Sequence, residues 1–137
     1  MYRYQILIEY VGTSFVGWQI QKNGKSVQKT VQSILSKLLK EKIALYGSGR
    51  TDAGVHALEQ SAHFDIKKKI QNIDKTVKSL NFFLNDKMIS ILKIKKKNIN
   101  FHARHSAKER IYLYKIHNRH SPSVLNKDRE WHIRKKL

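Results

Sequence analysis

Hydrophobic residues along the first two thirds of the chain recur with two different periods, which predict strands and helices. Residues 4–10 alternate with a period of two and carry apolar side chains on both sides, which predicts a central strand with apolar residues on both faces. Apolar residues recur at helical spacing after Ser26, a favourable N-cap, and predict an amphipathic helix that ends near Lys40. The predicted elements, in chain order, are a strand at 4–10, a helix at 26–40, strands at 43–46 and 59–66, a helix at 73–84 and a strand at 88–94.

This order of elements predicts the fold class. Strand, helix, strand, strand, helix, strand is the order of the α+β ferredoxin-like split βαβ fold, which RNA-recognition modules also use. Both helices are then expected on one face of an antiparallel sheet, which leaves the other face free to meet a partner. We interpret 1–107 as a first domain, because residues 95–107 are charged and rich in histidine without a helical period. A further strand predicted at 110–118 then belongs to 108–137, the beginning of a second, similar domain.

Net charge narrows the class of partner. The 137 residues include 28 Lys and Arg against 10 Asp and Glu, which gives a formal net charge of +18. A polyanion attracts such a surface at long range and releases counterions on binding, so a nucleic acid is the natural partner. No basic amphipathic helix or lipidation signal indicates a membrane surface. The alternative is that a translation bias towards lysine raises the charge and leaves the lysines solvated.

Several other classes of protein are disfavoured by composition. The chain has no cysteine, which excludes disulfides, thiolate nucleophiles and cysteine-ligated metals, and agrees with a cytoplasmic protein. Its apolar runs are too short to span a membrane, and the strand pattern begins where a signal peptide would stand. The histidine pairs at 102 and 105 and at 117 and 120 lack a carboxylate and a chelating spacing on a strand, so we expect no metal site.

Candidate chemistry is concentrated in one glycine-rich segment, Gly47–Ala57. It places a single carboxylate, Asp52, between small residues, with Arg50 two positions earlier. Glycines permit positive φ and the close approach of a ligand or another backbone, so the segment is suited to presenting Asp52 as a nucleophile or a base. The alternative is an ordinary turn in which Asp52 caps a helix or binds its own backbone.

Residues 49–56 resemble the signature of the TruA-type tRNA pseudouridine synthases. That signature is Gly-Arg-Thr-Asp-Ala-Gly-Val-His, and the match is unbroken. Five other segments resemble the family and follow its order, a pattern far harder to match by chance than a single glycine motif. These segments are Gly17-Trp18-Gln19, Ser26-Val27-Gln28, Asn81-Phe82-Phe83-Leu84-Asn85, Phe101-His102-Ala103-Arg104 and Tyr112-Leu113-Tyr114.

The resemblance implies an activity and assigns two residues of the motif to the site. Family members isomerise uridine to pseudouridine at positions 38–40 of the tRNA anticodon stem-loop, and Asp52 matches the aspartate on which they depend. Arg50 matches the arginine of the motif. Its guanidinium would form a salt bridge with Asp52, contact a phosphate, or fill the space that a flipped base leaves.

Three more residues are candidates for substrate binding, one of them through the resemblance. Tyr112 matches the tyrosine that lines the pocket, where its ring would stack on the base and its hydroxyl would assist proton transfer at C5. Without the resemblance, Tyr112 is interpreted as a core aromatic residue, and Tyr114 shares its face of the predicted strand. His102 and Arg104 are expected to contact RNA phosphate or sugar, with ordinary surface positions as the alternative.

The resemblance also implies what surrounds the site. It implies no metal and no cofactor, a tRNA substrate and a homodimer of the complete protein. In family members a second half of comparable size closes the cleft, so we expect this chain alone to be inactive. A basic RNA-binding module of ferredoxin-like fold without catalysis is the alternative function, and a ribosomal-protein-like RNA binder is a weaker one.

Overall fold

The computed structural model describes residues 1–137, which divide into two compact units, Met1–Ala107 and Lys108–Leu137. The elements of the first unit are β1 (Tyr2–Tyr10), a 3₁₀ turn (Gly12–Ser14), α1 (Val27–Leu39), β2 (Tyr46–Gly47), β3 (Ala57–Ile66), α2 (Ile73–Leu84) and β4 (Ile89–Lys97). The second unit contains β5 (Ile116–Asn118) and β6 (Trp131–Ile133), which pair in parallel.

The first unit is built on a four-stranded antiparallel sheet. Its strand order is β2-β3-β1-β4, which together with the element order confirms the predicted α+β ferredoxin-like class. β1 is central as predicted, and its two faces differ in burial. Tyr4, Ile6 and Ile8 are buried, whereas Leu7 is partly exposed and Glu9 is exposed, because both helices pack on one face.

Each helix has a side-chain cap and contributes an apolar stripe to one core. The Oγ of Ser26 accepts a hydrogen bond from the N–H of Lys29 at 3.1 Å, and the Oδ1 of Asn72 accepts one from the N–H of Lys75 at 3.0 Å. The first helix ends as predicted at Lys40, which has a left-handed conformation with φ of 54°. The core includes Tyr4, Ile6 and Ile8 from β1, Val27, Val31 and Leu35 from α1, Phe64 and Ile66 from β3, Leu80 and Leu84 from α2, and Ile91 and Ile94 from β4. Neither helix has the length and apolar character required to cross a membrane.

The strand predicted at 43–46 is wrong in position, since β2 has two residues and begins where the prediction ends. The preceding backbone binds helix side chains instead of a neighbouring strand. The N–H of Ile43 donates to the Oγ of Ser36, and the N–H of Leu45 donates to the Oε1 of Gln32, each at 3.0 Å. Both apolar side chains are buried, so the segment lies in the core without belonging to the sheet.

The strand predicted at 110–118 is also wrong over most of its length. Only its last three residues form β5, because β6 is a three-residue partner and no strand of this unit pairs with residues 110–115. Tyr112 and Tyr114 therefore share no strand face. No hydrophobic residue of the second unit is buried, and polar contacts such as the 3.3 Å pair between His117 Nδ1 and Glu130 Oε2 hold it together.

The face of the sheet opposite the helices is only partly free. Residues 98–106, which we name the His102 segment, lie over one end of that face and bind Arg3 of β1 and His63 of β3. This covering corrects the expectation of a wholly free face. Lys93 and Lys95 of β4 remain exposed on it.

Candidate active site

Residues 47–56, which we name the Asp52 loop, join β2 to β3, and the start of this loop is bound to β3. The N–H of Ser48 donates to the carbonyl of Ser61 at 2.8 Å. The side-chain amide of Gln60 donates to the carbonyl of Gly49 at 2.6 Å and accepts from the Oγ of Ser48 at 3.0 Å. Because Gln60 is buried, this end of the loop is held in a water-poor environment where an unmade hydrogen bond is costly.

The middle of the Asp52 loop is held by β1 and by the segment that follows the 3₁₀ turn. The N–H of Trp18 donates to the carbonyl of Thr51 at 3.1 Å, and Gly17 pairs with Asp52 in an isolated antiparallel bridge. The hydroxyls of Tyr10 and Thr51 are 2.8 Å apart and hydrogen-bonded. Gly17 has φ of 118°, and a Cβ there would clash with the carbonyl of Thr51, so this close approach requires glycine.

The end of the Asp52 loop turns sharply and is bound to the 3₁₀ turn. The N–H of Val55 donates to the carbonyl of Asp52 at 3.1 Å, and the N–H of Gly12 donates to the Nδ1 of His56 at 2.8 Å. A Cβ at Gly12 would clash with the carbonyl of Val55. The loop is therefore attached at its start, middle and end, and its conformation is fixed before any ligand binds.

The two charged side chains of this loop make none of these attachments. Asp52 and Arg50 are both exposed, and the carboxylate makes no hydrogen bond within the chain. The salt bridge between them that the sequence suggested is absent, and Asp52 caps no helix. The ordinary-turn interpretation therefore accounts for the backbone of Asp52 and leaves its side chain available to a ligand.

The His102 segment closes on itself in a turn that fixes the ring of His102. Its Nδ1 accepts hydrogen bonds from the N–H groups of Arg104 at 3.2 Å and His105 at 3.3 Å. The N–H of His102 donates to the Oγ of Ser106, and the N–H of Ser106 donates to the carbonyl of His102. These bonds assign the proton of the neutral ring to Nε2. Burial, and then the positive charges of His105, Arg3 and Arg104, lower the pKa of His102, so the ring is a neutral hydrogen-bond donor at pH 7.

His63 contacts both the His102 segment and the residue that precedes the Asp52 loop. The ring of His63 lies 4.6 Å from that of His102 and 5.2 Å from that of Tyr46, the residue immediately before the loop. Two cavities of this unit, of about 310 and 450 Å³, lie elsewhere and include no residue of the loop. The candidate site is therefore an exposed surface. No group of three His, Asp or Glu side chains is arranged to hold a metal ion.

Comparison with known proteins decides the family. A family model described as tRNA pseudouridine synthase matches residues 6–106, a range that includes the Asp52 loop and the His102 segment. The chain belongs to the tRNA pseudouridine synthase family. This membership confirms the resemblance seen in the sequence.

Curated relatives extend the match to the second unit. The chain is 69% identical to tRNA pseudouridine synthase A of Pelagibacter ubique over 137 residues, which are 100% of this chain and 56% of the relative. It is 49% identical to the Neorickettsia sennetsu enzyme of the same name, with 96% of this chain and 54% of the relative covered. A relative from Anaplasma marginale is 45% identical, with 98% and 55% covered. The chain spans about half the length of the curated relatives it matches.

Tyr112 belongs to the second unit, in the irregular stretch before β5. Its side chain is 62% exposed, so the interpretation as a core aromatic residue does not hold for this unit. Arg50, Asp52, His102 and Arg104 all belong to the first unit.

Sequence reasoning did not connect the residues that hold the site with the Asp52 loop. Tyr10 and Gln60 lie outside the family-like segments, and Trp18 was noted only within Gly17-Trp18-Gln19, yet all three bind the loop. For Arg3 and His63 a signal was present. Both are polar residues that alternate with buried apolar neighbours on paired strands, which places them together on the face opposite the helices.

Proposed function

We propose that this chain carries the catalytic aspartate of a tRNA pseudouridine synthase that isomerises uridine at positions 38–40 of the anticodon stem-loop. Membership of the family supports the reaction and the substrate class. One observation carries the assignment to Asp52: its exposed carboxylate has no partner in the chain, on a loop attached at start, middle and end.

The reaction needs a carboxylate beside the nucleoside. The N1–C1′ bond breaks, the base turns, and a C5–C1′ bond forms, while C5 loses its proton and N1 gains one. A carboxylate can trap the electron-poor C1′, assist removal of the C2′ proton, or add to the base. In each route an oxygen of Asp52 must face the nucleoside directly, which an exposed carboxylate permits and a hydrogen-bonded cap does not.

The remaining residues have supporting roles in this proposal. Arg50 is free of a salt bridge with Asp52, which favours contact with phosphate, or filling of the space left by a flipped base, over pairing. The Nε2–H of His102 and the guanidinium of Arg104 would donate to phosphate or sugar oxygens. The exposed ring of Tyr112 would stack on the target base, with its hydroxyl near C5.

The partners follow from charge and from the second unit. A net charge of +18 and the exposed Lys93 and Lys95 support a tRNA partner. Since 108–137 buries none of its hydrophobic residues, we propose that it is the beginning of a larger second domain. We propose a homodimer for the complete protein, acting in the cytoplasm without metal or cofactor.

Tritium release from tRNA labelled at C5 of uridine tests the reaction. The assay compares the chain alone with the chain joined to the part of its 69% identical relative that it does not match. We expect release from the joined protein, at positions 38–40, and none from its Asp52→Asn variant. Asp74→Asn removes an equally exposed carboxylate in α2 and should leave release unchanged.

The same assay separates the alternative function. A non-catalytic RNA-binding module would bind the labelled tRNA and release no tritium in any form, including the joined protein. Release by Asp52→Asn at the wild-type rate would remove Asp52 from the chemistry and leave the family's reaction to another residue.

A further inference from the structure

The His102 segment is held on the sheet by side chains of two strands. The Nη1 of Arg3 donates to the carbonyls of Ile99 at 2.9 Å and Phe101 at 2.6 Å. The Nδ1 of His63 accepts from the N–H of Ala103 at 3.0 Å, and both of these residues are only 2% exposed. A backbone N–H buried in this way needs its acceptor, because an unpaired one costs the full desolvation of the group.

The donor side of this attachment is itself fixed. Asp65, next but one to His63 on β3, accepts from the Nε of Arg3 at 2.8 Å and from its Nη2 at 2.9 Å. This two-point pair orients the guanidinium plane and leaves Nη1 directed at the segment. The hydrogen bond between them raises the pKa of Arg3 and lowers that of Asp65, so both groups stay charged at neutral pH.

The Nδ1 of His63 can accept the hydrogen bond from Ala103 only while the ring of His63 is neutral. Charged or titratable groups face its ring from every neighbouring element: Arg3 on β1, Tyr46 on β2, Asp65 on its own strand and His102 in the segment. Burial first, and then repulsion from Arg3 and from the protonated form of His102, lower the pKa of His63 to about 4. At pH 7 its Nδ1 is therefore a lone-pair acceptor.

We propose that His63 and Arg3 are positioning residues that lock the His102 segment on the sheet and thereby hold His102 and Arg104 in place for RNA. The RNA contact rests on the proposed function, whereas the lock does not. His63 is the centre of the arrangement, since its ring also stacks on Tyr46 of β2, immediately before the Asp52 loop. The lock thus sets the segment relative to the loop that carries the carboxylate.

The wild-type chain provides a test that needs no substitution. Protonation of His63 turns its acceptor into a donor that faces another donor, so acid should open the segment. Amide hydrogen exchange is measured at Ala103 and, as a control, at Ile6 in central β1. We expect the protection factor of Ala103 to fall roughly tenfold or more between pH 7 and pH 5. Ile6 exchanges through global unfolding, so its protection factor should follow the stability measured by urea unfolding and stay above that of Ala103 at both pH values. A protection factor at Ala103 that does not change between the two pH values would contradict the lock.

Two substitutions of His63 separate the effect of its hydrogen-bond acceptor from the effect of the size of its ring. In His63→Asn the side-chain oxygen occupies the position of Nδ1, whereas in His63→Gln it occupies that of Nε2. In His63→Asn we expect Ala103 to keep most of its protection, and that protection should no longer depend on pH. His63→Gln should lose at least tenfold at Ala103, while Ile6, which exchanges through global unfolding, stays better protected than Ala103. Equal protection in the two variants overturns the proposal.

Binding of a tRNA anticodon stem-loop tests the positioning role. We expect His63→Gln to weaken binding several-fold and His63→Asn to stay within about twofold. The double variant of His63→Gln with His102→Ala should lose less than the sum of the two single losses, because part of the effect of His63→Gln acts through His102. Additive losses in the double variant, or loss of protection with unchanged binding in His63→Gln, would overturn the positioning role. If the wild type binds no RNA, the proposed function fails while the exchange result still decides the lock.

Discussion

The Asp52 loop and the His102 segment are both exposed stretches of the first unit, but different chemistry holds them. The loop is bound by a backbone N–H, a tyrosine hydroxyl and a glutamine amide, together with one imidazole, that of His56. The segment is bound by a guanidinium in an ion pair and by a neutral imidazole. The loop that carries the proposed catalytic carboxylate is therefore held mainly by neutral groups. The segment that carries the proposed RNA contacts depends for its position on charge and on the protonation state of a histidine.

Filling the close contact at Gly12 should have the largest effect on the loop. Gly12→Ala places a methyl group against the carbonyl of Val55 and should lower the free energy of unfolding by about 3 kcal/mol. Gly54→Ala is the matched control, because its Cβ meets nothing within 4 Å and only its φ of 80° is unfavourable, which costs about 1 kcal/mol. Urea unfolding compares the two. Equal losses would mean that the packing of Gly12 does not hold the loop.

Removing the buried amide should loosen the start of the loop. Gln60→Leu takes the donor from the carbonyl of Gly49 and the acceptor from Ser48, and should cost about 2 kcal/mol. The exposed Gln71→Leu is its control and should change stability by less than about 0.5 kcal/mol. Amide exchange at residues 48–52 should rise in Gln60→Leu while the protection of Ala103 is unchanged. A parallel loss at Ala103 would mean that the loop and the segment are not held separately.

Acid should weaken the attachment of the His102 segment. The pKa of His63 is about 4 in the folded chain and 6.5 in the unfolded one, so the unfolded state binds more protons between these values. Stability is therefore complete above pH 6.5 and is lost as the pH falls towards 4. Owing to His63, the free energy of unfolding measured with urea should be lower at pH 5 than at pH 7 by on the order of 1 kcal/mol. His63→Asn should remove that difference. A flat profile for the wild type would contradict the burial of a neutral His63.

The smallest expected effect is on the salt dependence of RNA affinity, which should differ between a variant in the segment and a variant in the loop. The affinity for RNA should fall as salt is added. The logarithm of the binding constant should fall with the logarithm of the salt concentration by roughly 0.7 to 0.9 for each phosphate neutralised. Arg104→Ala should reduce the slope by about one such contact, whereas Asp52→Asn should not reduce it. An unchanged slope in Arg104→Ala would place this guanidinium away from the phosphates.

Local signals explain which parts of the fold were predictable. The first helix was predicted to within a residue, because its N-cap at Ser26 and its apolar stripe are both encoded within the helix itself. β2 was misplaced because the N–H groups of Ile43 and Leu45 bind side chains of α1, a tertiary choice that no pattern of apolar residues reveals. Residues 110–115 resemble a strand in composition, yet their unit provides no strand that pairs with them.

The same distinction applies to the candidate site. Asp52 and Arg50 were found from one contiguous motif, whereas the contacts of Tyr10 and Gln60 with the loop arise from the pairing of strands. His63 was not singled out, since a polar residue in an alternating strand is expected to face solvent, and here the His102 segment covers it.

The most direct test of the central claim separates binding from chemistry at Asp52. Single-turnover pseudouridine formation and anticodon stem-loop affinity are measured for the joined protein and for its Asp52→Asn variant, which is nearly isosteric. We expect isomerisation to be abolished while affinity stays within a few-fold of the wild type, because the exposed carboxylate anchors no part of the loop. Substantial turnover by the variant would contradict the claim that Asp52 is the catalytic group.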